Sequence, residues 1–365
     1  MKANKVEFIT GVPDTLLNDF CLGLSENWDS TKHVLAANEG NSIALAAGYH
    51  LSTGTVPLVY MQNSGMGNAM NPLISLTDET VYSIPMVMLI GWRGEPGSGD
   101  WPQHARQGEL SPVLLDSLNI PYKILDNNED ETIENLEWAV KEAKESNAPT
   151  ALLVRKGVLA KKEKAGFDDT KQSYSLSRED AIRHILNNAP SNAIFVASTG
   201  RITRELHAIR EELGGNHEQD FLNVGAMGHT LSIATGIAAG NPNKEVICLD
   251  GDSAAIMHLG SLPVSASHCL TNLTHIVLNN GAHESVGGQQ SVGHRIDFTL
   301  IAKASGYKTQ GSFFETEDEI SKFMTDISCS EGPHFLEVRI KKGMRQDMPI
   351  LRMVPIEEKC KFMSK

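Results

Sequence analysis

Short apolar runs of strand length alternate along the chain with stretches of helical periodicity. This alternation is typical of parallel β-sheets whose strands are connected by helices. Helical stretches include Asn41–Leu51, Leu231–Ala239 and Asp318–Asp326. The predicted strands are Val34–Ala37, Val56–Met61, Met86–Ile90, Thr150–Val154, Ala193–Ala197, Val246–Leu249, His275–Leu278 and His334–Val338.

The pattern is interrupted once, by the polar stretch Lys156–Glu179. It is rich in Lys, Asp and Ser and lacks hydrophobic periodicity, which is typical of a linker. A chain of 365 residues is long enough for two domains of ordinary size. We therefore predict one α/β domain over residues 1–160, a linker over 161–178 and a second α/β domain over 179–365.

The two halves also resemble each other at an offset of about 190 residues. The apolar run that ends at Gln62 corresponds to the run that ends at Asp252, and Ile90 corresponds to Asn280. A duplicated fold explains this similarity, and chance alignment of two α/β halves is the alternative. If the duplication is real, only the second half has kept polar side chains at both positions.

The segment Glu245–Gly288 contains an apolar strand, a helix and a second apolar strand. Parallel strands joined by a crossover helix end at the same edge of a sheet, about 4.8 Å apart when they are neighbours. Asp252 and Asn280, which follow the two strands, are therefore candidates for sharing one Mg²⁺ ion. Ser253 would open a helix whose first N–H groups face an anion. The alternative is a helix cap and a polar turn.

Glu39 stands where a predicted strand meets an Ala-rich helix. It is a candidate catalytic acid, and the alternative is a first-turn acid that complements the helix dipole. The nearby segments Gly11–Asp14 and Asn63–Asn68 predict turns.

Composition narrows the class of protein. A chain with 41% hydrophobic and 21% charged residues is a globular protein in water. The net charge of −13 argues against a nucleic-acid surface but not against an anionic substrate, since a nearby Arg or metal outweighs distant charge. The five cysteines form no CxxC pair, and neither a signal peptide nor a membrane-spanning apolar run is evident. We expect a cytoplasmic protein that binds neither nucleic acid nor membrane.

The metal and acid motifs together resemble those of the thiamine-diphosphate-dependent decarboxylases. That family has a Gly-Asp-Gly turn followed downstream by Asn-Asn, and here the residues are Gly251-Asp252-Ser253 and Asn279-Asn280. Serine replaces the usual glycine but is small enough to let a diphosphate approach. The resemblance implies two doubly wound parallel-sheet α/β domains, one of the pyrimidine-binding and one of the diphosphate-binding type. It also implies that the third, central domain of most members is absent.

The same resemblance implies thiamine diphosphate and Mg²⁺ as cofactors. The metal ligands would be Asp252, Asn280 and the backbone carbonyl of Ala282. Glu39 would hydrogen-bond the aminopyrimidine ring and favour the tautomer whose nitrogen accepts a proton.

Further residues follow from the family pattern. Met227, in the turn Gly225–Gly228, would be the hydrophobic wedge that bends the cofactor, and a gap-filling core methionine is the alternative. His283, just past the metal ligand, is the second catalytic candidate. The implied cofactor-binding residues are Glu39, Gly225, Met227, Gly251, Asp252, Ser253, Ala254, Asn280 and Ser285.

The substrate would be a small 2-oxo acid bearing an anionic group, which calls for cationic donors. The candidates, each with a solvated surface role as its alternative, are Arg93, His104, Arg106 and Arg295. The segment Gly94–Gln107, rich in Gly and Pro, is expected to be a mobile cover that excludes water.

In this family the pyrimidine half of one subunit faces the diphosphate half of another, so we expect at least a homodimer with a shared active site. Two alternatives remain open at this point. One is another thiamine-diphosphate reaction on a different 2-oxo acid, including carboligation. The other is a nucleotide- or metal-binding regulatory protein built on doubly wound sheets.

Overall fold

The structure, a computed structural model, describes residues 6–29, 31–159, 174–349, 351 and 353–364. These residues fall into two compact units. The first lies within Met1–Phe167 and Val286–Gln289, and the second within Asp168–Ser285 and Gln290–Lys365. Residues 161–173 of the predicted linker lie outside the described part of the chain.

The first unit is built on a six-stranded sheet in the order β2-β1-β3-β4-β6-β5, and every neighbouring pair is parallel. The central strands are buried along nearly their whole length, which explains why they appear in the sequence as continuous apolar runs. The strands are β1 (Ile9–Gly11), β2 (His33–Leu35), β3 (Leu58–Gln62), β4 (Met86–Gly91), β5 (Tyr122–Leu125) and β6 (Pro149–Val154).

Helices connect these strands and have clear start and stop signals. The helix α2 begins after Asn38, whose side chain accepts a hydrogen bond from the Asn41 N–H, and it ends at Thr53, which is followed by Gly54 with a positive φ of 70°. The helices of this unit are α1 (Asn18–Asn27), α2 (Glu39–Thr53), α3 (Met66–Pro72), α4 (Pro102–Ser117) and α5 (Glu129–Ser146).

The second unit has a six-stranded sheet in the order β13-β14-β10-β9-β7-β8, again with parallel neighbours throughout. Two short strands, β11 (Ala282–His283) and β12 (Gln289–Gln290), lie outside this sheet. The strands of the sheet are β7 (Ile194–Ala197), β8 (Asp220–Leu222), β9 (Val246–Gly251), β10 (Leu273–Asn279), β13 (Lys308–Thr309) and β14 (His334–Arg339).

Both faces of the second sheet are covered. Phe195 packs into one core cluster and its neighbour Val196 into another, as the alternation of side chains along a strand requires. The helices of this unit are α6 (Arg178–Asn188), α7 (Arg201–Glu212), α8 (Thr230–Gly240), α9 (Asp252–Met257), α10 (Ser261–Ser267), α11 (Phe298–Ser305), α12 (Glu317–Ile327) and α13 (Pro355–Met363).

The two sheets share one topology. If the strands of each are renumbered in chain order, both sheets have the order 2-1-3-4-6-5. The predicted fold class of two doubly wound α/β units is therefore confirmed, and the identical order favours duplication over chance alignment. All eight predicted strands are present.

The structure differs from expectation in four places. Six short strands of two to four residues were not predicted, namely β1, β5, β8, β11, β12 and β13. Two helices, α9 and α10, lie between β9 and β10, where the sequence predicts one. The helix α2 begins at Glu39, two residues earlier than predicted, since Asn38 caps it. Finally, the segment Gly94–Gln107 is not a loop throughout: α4 begins at Pro102, because proline at a first helical position lacks only an N–H that has no helical partner.

Candidate active site

Glu39 is buried at the carboxyl edge of the first sheet. It is the first residue of α2 and is only 5% exposed. Its Oε2 accepts a hydrogen bond of 2.8 Å from Asn68 Nδ2. The backbone of Gly65 packs so closely against this side chain that any side chain at Gly65 would overlap the Glu39 carboxylate. A first-turn acid that only complemented the helix dipole would stay in solvent, so the burial favours a site role.

A second buried acid, Asp14, lies at the same edge just after β1. It is 1% exposed; its Oδ2 accepts a hydrogen bond of 3.1 Å from the Leu16 N–H, and its Oδ1 has no hydrogen-bond partner among the described residues. Burial raises the pKa of Asp14 to about 6, although the charge of Arg93 opposes the shift. A side chain at Gly91 would overlap its carboxylate. The sequence predicted only a turn here.

Arg93, a proposed substrate contact, is held by Asp100. Its Nε and Nη2 each donate a hydrogen bond of 2.7 Å to that carboxylate, which also accepts hydrogen bonds from the N–H groups of Gly94 and Trp101. Burial alone would raise the pKa of Asp100, but Arg93 and the backbone donors hold it well below its usual range. Arg93 therefore fixes the start of the segment after β4, and part of its charge is already neutralised.

The other proposed substrate contacts differ in exposure. His104 is half-buried in α4, and burial lowers its pKa, with the charge of Arg93 adding to the effect. Arg106 is 75% exposed and pairs with Glu109 at 2.7 Å, which favours the surface alternative for this residue. Arg295 is exposed and belongs to the second unit.

In the second unit, β9 and β10 are parallel neighbours, with Gly251 aligned with Leu278. The polar residues that follow them therefore lie at one edge of one sheet, as predicted. Asp252 is 2% exposed, and Ser291 Oγ donates a hydrogen bond to its Oδ2. Burial raises the pKa of Asp252 to about 6, although the Ser291 hydrogen bond opposes the shift. No basic side chain is among the causes of this shift, and a bound cation would favour the ionised form.

The two consecutive asparagines have different partners. Asn279 is fully buried and donates to the Gly293 carbonyl and to Glu337 Oε1, at 2.9 and 2.8 Å, so it serves the core. Asn280 donates through Nδ2 to Glu284 Oε2 at 2.9 Å, which fixes the direction of its amide oxygen. That oxygen accepts a hydrogen bond of 3.1 Å from the Ala282 N–H and keeps a second lone pair. Asn280 is thus the better placed ligand.

Glu284, which orients Asn280, is part of an ion-pair network that the sequence did not reveal. Arg178 Nη1 lies 2.8 Å and Arg201 Nη1 lies 3.0 Å from its carboxylate. Burial alone would raise the pKa of Glu284, but the charges of these two arginines outweigh that effect and leave the pKa below its usual value. Arg178 also pairs with the buried Glu205 at 2.7 Å. The partners are far apart in sequence, so no local pattern indicates the network.

The edge of the second sheet also fits a diphosphate. The Ser253 Oγ is enclosed and has no hydrogen-bond partner among the described residues. Ala254, buried in α9, adds no bulk beside it. The Ser285 hydroxyl lies beside Gly200, which stands at the N-terminus of α7. A Cβ added at Gly200 would be 3.0 Å from this hydroxyl. Hydroxyl and helix N–H donors of this kind bind phosphate oxygens.

The turn that carries Met227 is held by a side chain. Asn223 Nδ2 donates to the Ala226 carbonyl at 2.7 Å, and its Oδ1 accepts from the N–H groups of Gly225 and Ala226. Met227 itself is half-buried and is not part of either hydrophobic core cluster of this unit. A methionine that only filled a gap in the core would be enclosed, so its position favours the wedge interpretation.

His283 is half-buried in β11, and burial lowers its pKa to about 4. The imidazole is therefore neutral at neutral pH. It can accept or donate a hydrogen bond but does not supply a positive charge.

Comparisons with known proteins show the family of this chain. The profile described as thiamine pyrophosphate enzyme, N-terminal TPP binding domain, matches residues 1–116, and the corresponding C-terminal TPP binding domain matches residues 199–338. A phosphonopyruvate decarboxylase of Streptomyces viridochromogenes is 30% identical over 370 residues, covering 98% of this chain and 90% of the relative. One from Streptomyces hygroscopicus is 29% identical, covering 93% and 85%.

A sulfopyruvate decarboxylase of Methanosarcina acetivorans is 28% identical, covering 99% of this chain and 94% of the relative. With both profiles matched and a relative at 30% identity, the chain belongs to the thiamine pyrophosphate enzymes. Within them it is a 2-oxo acid decarboxylase that uses thiamine diphosphate and Mg²⁺. Among the described residues, no helix is long and apolar enough to cross a membrane.

Proposed function

We propose that this chain decarboxylates phosphonopyruvate to phosphonoacetaldehyde and CO₂, a step in phosphonate biosynthesis in the cytoplasm. The main support is its similarity over nearly its whole length to two phosphonopyruvate decarboxylases. The chain covers 90% and 85% of the length of these two relatives.

We assign the metal to the edge of the second sheet. Asp252, Asn280 and the carbonyl of Ala282 would hold Mg²⁺ and, through it, the diphosphate. The donor set of one carboxylate, one amide oxygen and one carbonyl suits a hard cation. Glu284 would keep the Asn280 oxygen directed at the ion, as residues around metal ligands commonly do. Ser253 and Ser285 would donate hydrogen bonds to phosphate oxygens.

We assign proton handling to the first unit. Bound thiamine diphosphate supplies the group that accepts the electrons released with CO₂. Glu39 would hold a proton at the pyrimidine ring, and its burial shields that hydrogen bond from water. Met227 would set the bend of the bound cofactor. His283, which is neutral, would hydrogen-bond the substrate.

We further propose that the active enzyme is a homo-oligomer, at least a dimer. In this arrangement Glu39 of one subunit serves the cofactor held by Asp252 of another. Each chain then contributes one half of two sites, and a single chain has no complete site.

Sulfopyruvate is the second candidate substrate, because a sulfopyruvate decarboxylase is also similar over nearly the whole chain. The two substrates differ at the anionic group, since a phosphonate carries up to two negative charges and a sulfonate one. Among the first unit's candidates, Arg93 offers bidentate geometry for such an anion, although it shares its donors with Asp100.

The test is CO₂ release from phosphonopyruvate, sulfopyruvate and pyruvate by one preparation saturated with Mg²⁺ and thiamine diphosphate. We expect kcat/KM for phosphonopyruvate to exceed the others by about 100-fold or more, which corresponds to about 3 kcal/mol of discrimination. A preference for sulfopyruvate would overturn the substrate assignment. Activity that is unaffected by removing Mg²⁺ and cofactor would overturn the site assignment.

A further inference from the structure

A cluster of three potential metal ligands lies in the second unit, away from the carboxyl edge of its sheet. Because α7 starts at the carboxyl edge after β7, its C-terminal end reaches the opposite edge. There His207 and Glu211, one helical turn apart, meet His217, which precedes β8. One nitrogen or oxygen from each of the three residues lies within 4.8 Å of the other two.

The geometry is close to that of a coordinated ion. His207 Nδ1 lies 3.7 Å from Glu211 Oε2, and His217 Nε2 lies 4.0 Å from Glu211 Oε1. Tetrahedral ligands at the usual zinc distances are about 3.3 Å apart, so the Glu211 carboxylate needs to shift by less than about 1 Å toward the two imidazoles. Glu211 is 59% exposed and is free to make such a shift.

Asp220 fixes the orientation of the His217 ring. Its Nδ1 lies 3.3 Å from Asp220 Oδ2, and Asp220 is held in turn by Arg210, whose Nη2 and Nε donate hydrogen bonds of 2.6 and 3.0 Å. A carboxylate at one ring nitrogen places the proton there and leaves the lone pair on the other nitrogen. That other nitrogen, Nε2, is buried and has no hydrogen-bond partner within the described ranges.

The rings of His207 and His217 are stacked, with centroids 4.0 Å apart and planes 11° from parallel. Two parallel rings do not direct their lone pairs at one point, so coordination requires the His207 ring to turn out of the stack. His207 is 20% exposed on the helix surface and is the ring that must rotate, while His217 is held by Asp220.

We propose that His207, Glu211 and His217 form a second divalent-metal site, distinct from the Mg²⁺ site. Two imidazoles and one carboxylate suit a first-row transition metal such as Zn²⁺, Co²⁺ or Ni²⁺, whereas Mg²⁺ prefers oxygen ligands only. The ion would join the end of α7 to the segment that enters β8 and stabilise this edge of the sheet.

The test is Zn²⁺ binding to the holoenzyme saturated with Mg²⁺ and thiamine diphosphate. The exposed thiols of Cys269, Cys329 and Cys360 also bind zinc, so the parent for all measurements carries serine at these three positions. Equilibrium dialysis should find one Zn²⁺ per chain beyond the Mg²⁺ site. His217→Gln should weaken this binding by about 100-fold or more, because it removes the oriented ligand.

His184→Gln is the matched control, because His184 lies 2.8 Å from Glu317 but belongs to no three-ligand cluster in the described part of the chain. It should bind Zn²⁺ like the parent. Zn²⁺ should raise the Tm of the parent and of His184→Gln but not that of His217→Gln. Co²⁺ in the parent should give the visible absorption of a tetrahedral site, lost in His217→Gln. Equal Zn²⁺ affinity in His217→Gln and the parent, or no zinc bound beyond the Mg²⁺ site, would overturn the proposal.

Discussion

The two halves of this chain have the same strand order but carry different chemistry at the same place. In the first sheet, the positions at the ends of β3 and β4 that correspond to Asp252 and Asn280 are Gln62 and Ile90, so neither carries a carboxylate. In the second, the corresponding strands β9 and β10 are followed by Asp252 and Asn280. The comparison shows that topology determines where a site forms, whereas the residues at the strand ends determine which ligand it binds.

The buried acids of the two halves also have different surroundings. Glu39 in the first unit accepts a hydrogen bond from the neutral amide of Asn68, a partner suited to a site that binds an uncharged ring. Asp252 in the second unit accepts one from the Ser291 hydroxyl, and its raised pKa indicates that the carboxylate lacks a compensating positive charge. These surroundings support our proposal that each half serves one end of the cofactor.

The largest effect on activity should come from a substitution in the second unit, to which we assign the metal. Asp252→Asn keeps the shape of the side chain and its ability to accept from Ser291, but removes the negative charge. We expect Mg²⁺-dependent binding of thiamine diphosphate to weaken strongly and kcat/KM to fall by about 1000-fold or more. Cofactor binding by equilibrium dialysis and CO₂ release would measure both.

Asp297→Asn is the control for this substitution. Asp297 is an exposed aspartate that caps α11 by accepting a hydrogen bond of 2.8 Å from the Leu300 N–H. Asparagine caps a helix about as well as aspartate, so the stability should change by less than about 1 kcal/mol and cofactor binding should be unchanged. If Asp252→Asn also bound the cofactor normally, the second sheet would lose its assigned role.

A substitution in the first unit, which contains Glu39, should have a different effect. Glu39→Gln should lower kcat by about 100- to 1000-fold, because it removes the group to which we assign proton handling, while the Kd for thiamine diphosphate changes only a few-fold. Glu129→Gln, at the exposed first position of α5, is the matched control and should have normal kcat. Normal turnover by Glu39→Gln would restrict Glu39 to a helix-dipole role.

The two substitutions together test whether the halves work across subunits. If chains carrying Glu39→Gln and chains carrying Asp252→Asn are coexpressed with different tags, half of randomly assembled dimers are mixed. Each mixed dimer has one intact site, so activity should recover to about one quarter of the wild-type value. No recovery in isolated mixed dimers would contradict a site shared between subunits.

Much of this arrangement could be predicted from the sequence, for a physical reason. The central strands are covered on both faces, so each is a continuous apolar run with little ambiguity. A crossover helix between two such strands makes them parallel, which predicts that Asp252 and Asn280 follow strands at one edge. The short edge strands β8 and β13 lack this signal, because two or three residues do not establish a pattern.

The residues that the sequence did not reveal depend on tertiary contacts. Glu284 acts on Asn280 only because Arg178 and Arg201, distant in sequence, hold its carboxylate. The sequence predicts Arg93 as a cation available to the substrate, whereas in the structure Asp100 pairs with it. Asp14 looked like a turn residue, because its burial depends on the approach of Gly91 from another strand.

The smallest expected effect concerns Asp14, the buried acid of the first unit that has no counterpart in the second unit. Burial raises its pKa from 3.8 to about 6, so folding favours the protonated form. This contribution to stability is complete below about pH 4 and is lost as the pH rises through about 6. Asparagine at position 14 does not titrate. The free energy of unfolding of Asp14→Asn, relative to that of the wild type, should therefore increase by about 1–2 kcal/mol between pH 5 and pH 7.5. Urea unfolding at both pH values measures the change, with Asp130→Asn, at an exposed aspartate, as the control. Parallel pH dependences of wild type and Asp14→Asn would mean that Asp14 is ionised and compensated in the folded protein, as Asp252 is expected to be once its cation binds.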